Sequence, residues 1–317
     1  MDVWKRLGSW ISGHMVLVVP LCIVVGVFFP QLLIPLRPAI PTLFAVVTFQ
    51  NALRNDFASL RDTLRRPQAL LITLALVHVI APLLISILAK ALFGANPDTV
   101  VGLVLEGCVP VGATTVMWSG VYGGNVALAL AMMFVSTTIA PFTIPWTLRL
   151  LVGATVEVDV AGMIGDMLYM VGIPAVLGVV FNEASHGWGK ERLSPVMAPL
   201  SSILVPIIIA TNATGISKYV LNLTPWLVSV AAFVGMVTVL SVFTGLLVAH
   251  LTRQPPDTTV TMAFDCGIRN ISAGAVLAVA YLPAEALFPV MIGTLFQQLL
   301  AAIVGKTLQR RMVLNDH

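Results

Sequence analysis

Apolar runs close to the roughly 20 residues that cross a lipid bilayer as a helix recur along this chain from Met15 almost to its end. Short segments carrying most of the charge separate them. Only 10% of the residues are charged against 58% hydrophobic, and the mean hydropathy is +0.97. A soluble domain usually devotes about a quarter of its residues to charge, so a soluble fold is excluded. The sequence predicts an all-α polytopic membrane protein, one transmembrane domain over 1–317. Its ten helices are expected at 15–36, 40–60, 69–94, 99–122, 125–151, 160–182, 195–217, 223–251, 258–282 and 285–308. The first run continues through Val25-Gly26-Val27-Phe28-Phe29 without a small-residue cleavage site, which favours a retained span over a signal peptide. Cys22, Cys108 and Cys266 are all in predicted helices, and none of their spacings is that of a metal site.

Basic residues in short loops favour the cytoplasm. With the N-terminus inside, twelve Lys and Arg fall in inner segments, among them Arg54, Lys190 and Arg253. Four fall in outer ones, Arg37, Lys90, Arg149 and Lys218, leaving Arg269 in the membrane. This bias predicts both termini in the cytoplasm. It also accounts for the net charge of +3, so no nucleic-acid site is read into it.

The stretch Asp265-Cys266-Gly267-Ile268-Arg269-Asn270-Ile271-Ser272-Ala273-Gly274 puts an acid, a base, an amide and a hydroxyl inside one apolar run. Ionisable groups are costly in lipid and by default mark a functional site. Gly267 and the polar cluster predict a broken helix, which membrane interiors tolerate only where protein or water covers it. Transporters use such helices.

At an offset of 159, Leu105-Glu106-Gly107-Cys108 lies over Phe264-Asp265-Cys266-Gly267 and Ala127-Leu128 over Ala286-Leu287. Each half then holds five helices, 15–152 and 160–308. An odd number inverts the second half, so the predicted architecture is two inverted five-helix repeats whose fourth and ninth helices are broken and cross near mid-membrane.

The stretches Cys108-Val109-Pro110-Val111-Gly112-Ala113-Thr114-Thr115, Gly124-Asn125-Val126-Ala127-Leu128 and Gly267 to Gly274 resemble the bile acid:sodium symporter family. The resemblance covers nearly the whole chain. It implies a panel domain and a core domain, the latter holding the crossed helices, and transport of organic anions. It also implies two sodium sites. A Glu on the ninth helix bridges them in sodium-coupled members, and Asp265 stands there. The first site draws on the fourth helix, where Thr114 and Thr115 are available, and on two hydroxyl residues of the fifth, at positions held here by Ala129 and Met133. The second uses a Gln on the ninth helix and a Gln on the third, where this chain has Arg269 and His78.

A guanidinium offers donors, no acceptor and a permanent positive charge, so Arg269 repels sodium and can stand in its place. Asp265 and Arg269, four apart and in the favourable order, are expected to pair even with the break at Gly267 between them. His78 is read either as a proton carrier beside Asp265 or as an interhelical hydrogen bond. Glu106, the pseudo-symmetric mate of Asp265, is read as a second carrier or as a wet residue near the outer end of its half-helix. The proposed substrate-binding set is Arg269, Asn270, Ser272, Thr114, Thr115 and Asn212; the coupling set is Asp265, His78 and Glu106. Asn270 and Ser272 suit capping of the second half-helix, which would aim backbone N–H groups at an anion. Gln50, Asn51, Thr211, Gln297 and Gln298 are read as cavity-lining or as helix-to-helix bonds.

The expected function is alternating-access transport of a small organic anion across a bacterial cytoplasmic membrane, coupled to protons or to nothing. The alternative is sodium symport, with one residual ion at Asp265, Thr114 and Thr115. No cofactor is expected. A more distant reading, a membrane-embedded enzyme or receptor, would need Cys108 or Cys266 with His78 as nucleophile and base. The sequence is silent on substrate identity and oligomeric state.

Overall fold

The computed structural model describes residues 2–55, 67–154 and 156–315. Helices dominate, and an isolated antiparallel bridge between Val111 and Arg269 is the extended pairing recorded outside them. In chain order the elements are α1 (Asp2–Gly13), α2 (Met15–Phe28), α3 (Pro30–Ala52) and α4 (Gln68–Phe93). Next come α5 (Pro97–Cys108), α6 (Thr114–Val121), α7 (Val126–Val152), α8 (Val160–Ala184), α9 (Gly189–Leu221) and α10 (Pro225–Leu251). The last are α11 (Pro256–Gly267), α12 (Ile271–Tyr281) and α13 (Leu287–Asn315).

Among the described residues, seven helices are long and apolar enough to cross a membrane, and Leu17–Phe28 and Ile271–Tyr281 are shorter apolar helices. Leu84, Ile87, Leu150 and Leu247 are exposed, as expected of a polytopic membrane protein whose outer surface meets lipid. Trp10, Trp146 and Trp188 are exposed as well.

The predicted helices at 99–122 and 258–282 are both interrupted. α5 stops at Cys108 because Val109 precedes Pro110 and takes an extended conformation, ψ 149°. α11 stops at Gly267, with Ile268 extended at ψ 111°. The second predicted helix ends earlier than residue 60: α3 closes at Ala52, and positions 56–60 lie outside the described residues. The sequence reading missed α1, which lies against α9. Trp4 Nε1 donates to the Val196 carbonyl at 3.2 Å, and a Cβ at Gly8 would come within 2.5 Å of Pro199 Cα.

Two sets of helices emerge from the packing. α9 lies against α2 and α3, and α3 against α8; α4 packs on α5, α10 on α11 and α13, and α5 on α13 and α7; the two sets meet where α8 packs on α7. The two breaks lie within the second set.

Candidate functional site

Breaking two helices inside an apolar interior exposes backbone groups that need partners. Each break supplies them to the other. Gly112 N donates to the Ile268 carbonyl at 3.0 Å and Asn270 N to the Pro110 carbonyl at 2.7 Å. Side chains finish the accounting: Val111 N donates to Ser136 Oγ at 3.0 Å and Arg269 N to Gln297 Oε1 at 3.0 Å. The crossing is tight enough that a Cβ on Gly112 would sit 2.9 Å from the Arg269 carbonyl oxygen.

Arg269 does not pair with Asp265. Its guanidinium Nη1 donates to the carbonyls of Val77 at 3.1 Å and Val109 at 3.4 Å. Both acceptors are orphans of local geometry. At Leu76–Ile80 α4 forms a π-turn in which Ala81 N bonds to the Leu76 carbonyl, so Val77 loses its ordinary i+4 donor. Val109 caps the C-terminal end of α5, where the last carbonyls lack intrahelical partners. The expected Asp265–Arg269 pair fails because the chain leaves helical geometry at Ile268, and with it the i,i+4 face.

Asp265 is wholly buried, and neither carboxylate oxygen has a hydrogen-bond partner. Thr115, buried at the start of α6, donates its hydroxyl to the Gly112 carbonyl at 2.9 Å. Thr114, beside it, is half-buried. Where the resemblance implied two hydroxyl ligands on the fifth helix, Ala129 and Met133 instead form a buried apolar cluster with Val116.

His78 is buried on the π-turn. Its Nε2 contacts Ser136 Oγ at 2.8 Å and its Nδ1 contacts Thr143 Oγ1 at 3.2 Å. Both ring nitrogens are thus tied to α7, which is the interhelical hydrogen bond of the two readings. The expected placement beside Asp265 is not realised as a hydrogen bond, and no thiol–imidazole pair forms with Cys108 or Cys266. Glu106 is buried at 4% exposure, contrary to the wet position weighed for it, and its Oε1 accepts from Gln297 Nε2 at 3.2 Å. Gln297 therefore bridges Glu106 and the Arg269 backbone. Gly293 lets α13 come this close, since a Cβ there would be 3.1 Å from Glu106 Oε1.

Arg269 and Asn270 face different spaces. Arg269 lines a largely apolar crevice between α4 and α10, beside Leu84, Leu88 and Leu240. Asn270 lines a narrow cleft of about 40 Å³ between the two helix sets, with Thr48, Asn51, Asn55, Ala113 and Thr137. Its side chain also caps α12, accepting from Ala273 N at 3.3 Å. Ala113 and Asn270 immediately precede α6 and α12, so the N-terminal ends of both half-helices adjoin this cleft. Among the predicted substrate residues, Asn270 is the one recorded in its lining. Ser272 is half-buried in the first turn of α12. Asn212 is buried on α9, its Nδ2 without a partner, and does not line the cleft. Gln50 donates to Ser194 Oγ at 3.2 Å, joining α3 to α9. Thr48, Asn55 and Thr137 went unnoticed in the sequence; the only signal was their recurrence on helix faces next to Asn51 and Met133.

The model of the Sodium Bile acid symporter family matches residues 41–223, more than half of the chain. The protein belongs to that family. The protein YbaS of Bacillus subtilis is 35% identical over 296 residues, covering 93% of this chain and 97% of its own. A sodium-dependent transporter of the same organism, YocS, is 23% identical over 283 residues, 89% of this chain and 86% of its own. The rice chloroplast protein BASS2, named a probable sodium/metabolite cotransporter, is 24% identical over 256 residues, 80% of this chain and 60% of its own. This member carries a guanidinium at the crossing and a carboxylate without hydrogen-bond donors four residues before it.

Proposed function

We propose that the protein is a secondary transporter that moves a small organic anion together with sodium across a bacterial cytoplasmic membrane by alternating access. The observation that carries the coupling is Asp265: a wholly buried carboxylate whose two oxygens have no donor. Burying a charge without a partner is strongly unfavourable, and sodium is bound by oxygen ligands of the kind Asp265, Thr114 and Thr115 supply. Relatives named as sodium-dependent or sodium/metabolite transporters support the same direction. The proton-coupled or sodium-independent reading is the weaker one, because His78 is held by Ser136 and Thr143 and has no hydrogen bond to Asp265.

Arg269 takes the place of a second ion. Its guanidinium satisfies the Val77 and Val109 carbonyls, backbone oxygens of the kind that would otherwise face a cation. The substrate anion occupies the cleft at Asn270, where the positive ends of two half-helix dipoles meet. In this reading α2, α3, α8 and α9 form the panel and the other long helices the core, as two inverted five-helix repeats spanning the membrane ten times. Both termini are cytoplasmic. The end holding Arg54 and Lys190, where a pocket opens beside Leu130 and Ser194, is the inner mouth. The Tyr281–Asp166 hydrogen bond of 2.5 Å closes the outer one.

The test is thermal unfolding of the purified protein in detergent, with sodium titrated against choline at constant ionic strength. A ligand that binds only the folded state raises its melting temperature by mass action. Sodium is expected to stabilise the native chain and to lose that effect in Asp265→Asn. An equal effect in both variants would remove Asp265 from the site, and no effect in the native chain would remove the sodium coupling.

A further inference from the structure

We infer that Glu106 is the counter-ion of Arg269, held in register by Gln297, and that this pairing leaves the crossing with charge for a single monovalent cation at Asp265. The cation part rests on the proposed function; the Glu106–Arg269 part does not.

The geometry separates the three charges into a balanced pair and a remainder. Gln297 uses both ends of its amide, donating to Glu106 Oε1 at 3.2 Å and accepting from Arg269 N at 3.0 Å. An amide spent this way fixes the carboxylate of α5 against the very residue that carries the guanidinium. The Arg269 guanidinium reaches the Val109 carbonyl, three residues beyond Glu106 at the end of α5, and donates no hydrogen bond to Asp265. Glu106 is itself buried, so each charge would otherwise stand in the interior uncompensated. Asp265 is the remainder, with no donor on either oxygen. His78, between two hydroxyls, adds no charge to the sum in its neutral form. Two carboxylates and one guanidinium leave one negative charge, which one sodium neutralises. Coupled to one monoanion, such a site makes the loaded carrier's movement electroneutral with respect to its cargo.

The test is a double-mutant cycle on the full-length protein with Glu106→Gln, Arg269→Gln and the two combined, read in two ways. In choline, without sodium, Glu106→Gln is expected to lower the melting temperature and the combined variant to recover most of the loss, because removing both members of a pair leaves no buried orphan charge. In sodium titrations, Glu106→Gln is expected to weaken binding about tenfold, since the guanidinium is no longer balanced. Arg269→Gln should tighten binding, and the combined variant should return near the native affinity. Additive losses in choline would overturn the counter-ion assignment, leaving Glu106 as packing. If Glu106→Gln does not fold alone, folding restored by adding Arg269→Gln supports the assignment and continued failure overturns it. A native protein without any sodium response would sink the sodium reading while the choline arm still reports on the pair.

Discussion

Asp265 and Arg269 are four residues apart in the chain, yet the guanidinium of one donates to Val77 and Val109 while both oxygens of the other stay unbonded. On an unbroken helix this spacing would bring the charges together. The extended backbone at Ile268 separates them, and in the proposed function the first holds a mobile cation while the second is a permanent one.

Removing Ser136 tests how the breaks are held. Its Oγ accepts from Val111 N at 3.0 Å and contacts His78 Nε2 at 2.8 Å. In Ser136→Ala a buried N–H and an imidazole lose their shared partner, a cost of about 1–3 kcal/mol. Thermal unfolding should show a lower melting temperature, with a smaller loss in Ser136→Thr, which keeps the hydroxyl. A Ser136→Ala protein as stable as the native one would mean that the break is satisfied in another way.

Gly112→Ala addresses the crossing itself. The new methyl would sit 2.9 Å from the Arg269 carbonyl oxygen, and backbone on both sides must shift to admit it. Overpacking of this kind costs about 1–3 kcal/mol. The melting temperature should fall, and the sodium effect should weaken with it as Arg269 and Thr115 are displaced. Unchanged unfolding and unchanged sodium response would argue against so close a crossing.

Tyr281 on α12 donates to Asp166 Oδ2 on α8, joining the two helix sets at one end of the bundle. A net hydrogen bond of this type contributes about 0.5–1.5 kcal/mol, so Tyr281→Phe should shift the balance of conformers severalfold toward opening at that end. Labelling rates of a cysteine placed at Gly162, whose added Cβ would push aside the Asp159 carboxylate and meet the Tyr281 ring at 3.2 Å, should rise between Gly162→Cys and Gly162→Cys/Tyr281→Phe, both of which carry the same Asp159 displacement. Equal rates would show that the hydrogen bond does not hold this end shut.

Much of this arrangement was legible in the sequence. Gly267 announces one break, and the offset of 159, which pairs Glu106 with Asp265, carries it to the other. The partner of Arg269 was not legible. It depends on the π-turn at Leu76–Ile80, a one-residue slip in hydrogen-bond register whose sequence mark, Pro82 at the start of the next segment, reads equally as a simple kink. Gln297 was ambiguous for a related reason: helix position says which face an amide occupies, and only packing says that its two ends reach two different elements. The cleft residues Thr48, Asn55 and Thr137 became visible only once the end of α3 and the middle of α7 were found to line one cleft.

Cys108 and Cys266 are buried at the crossing, and His78 is engaged by hydroxyls. A thiol-based chemistry therefore has no assembled base. Cys108→Ala with Cys266→Ala should keep the sodium-dependent stabilisation of the native chain. Its loss with folding intact would reopen a role for the thiols.

Equilibrium dialysis with radioactive sodium on the purified native protein and on Asp265→Asn, at fixed ionic strength with choline as the balancing cation, tests the central claim most directly. One saturable sodium per native chain, absent from Asp265→Asn, is the expected result. Two ions per native chain would contradict Arg269 as the substitute for a second cation, and none would contradict sodium coupling altogether.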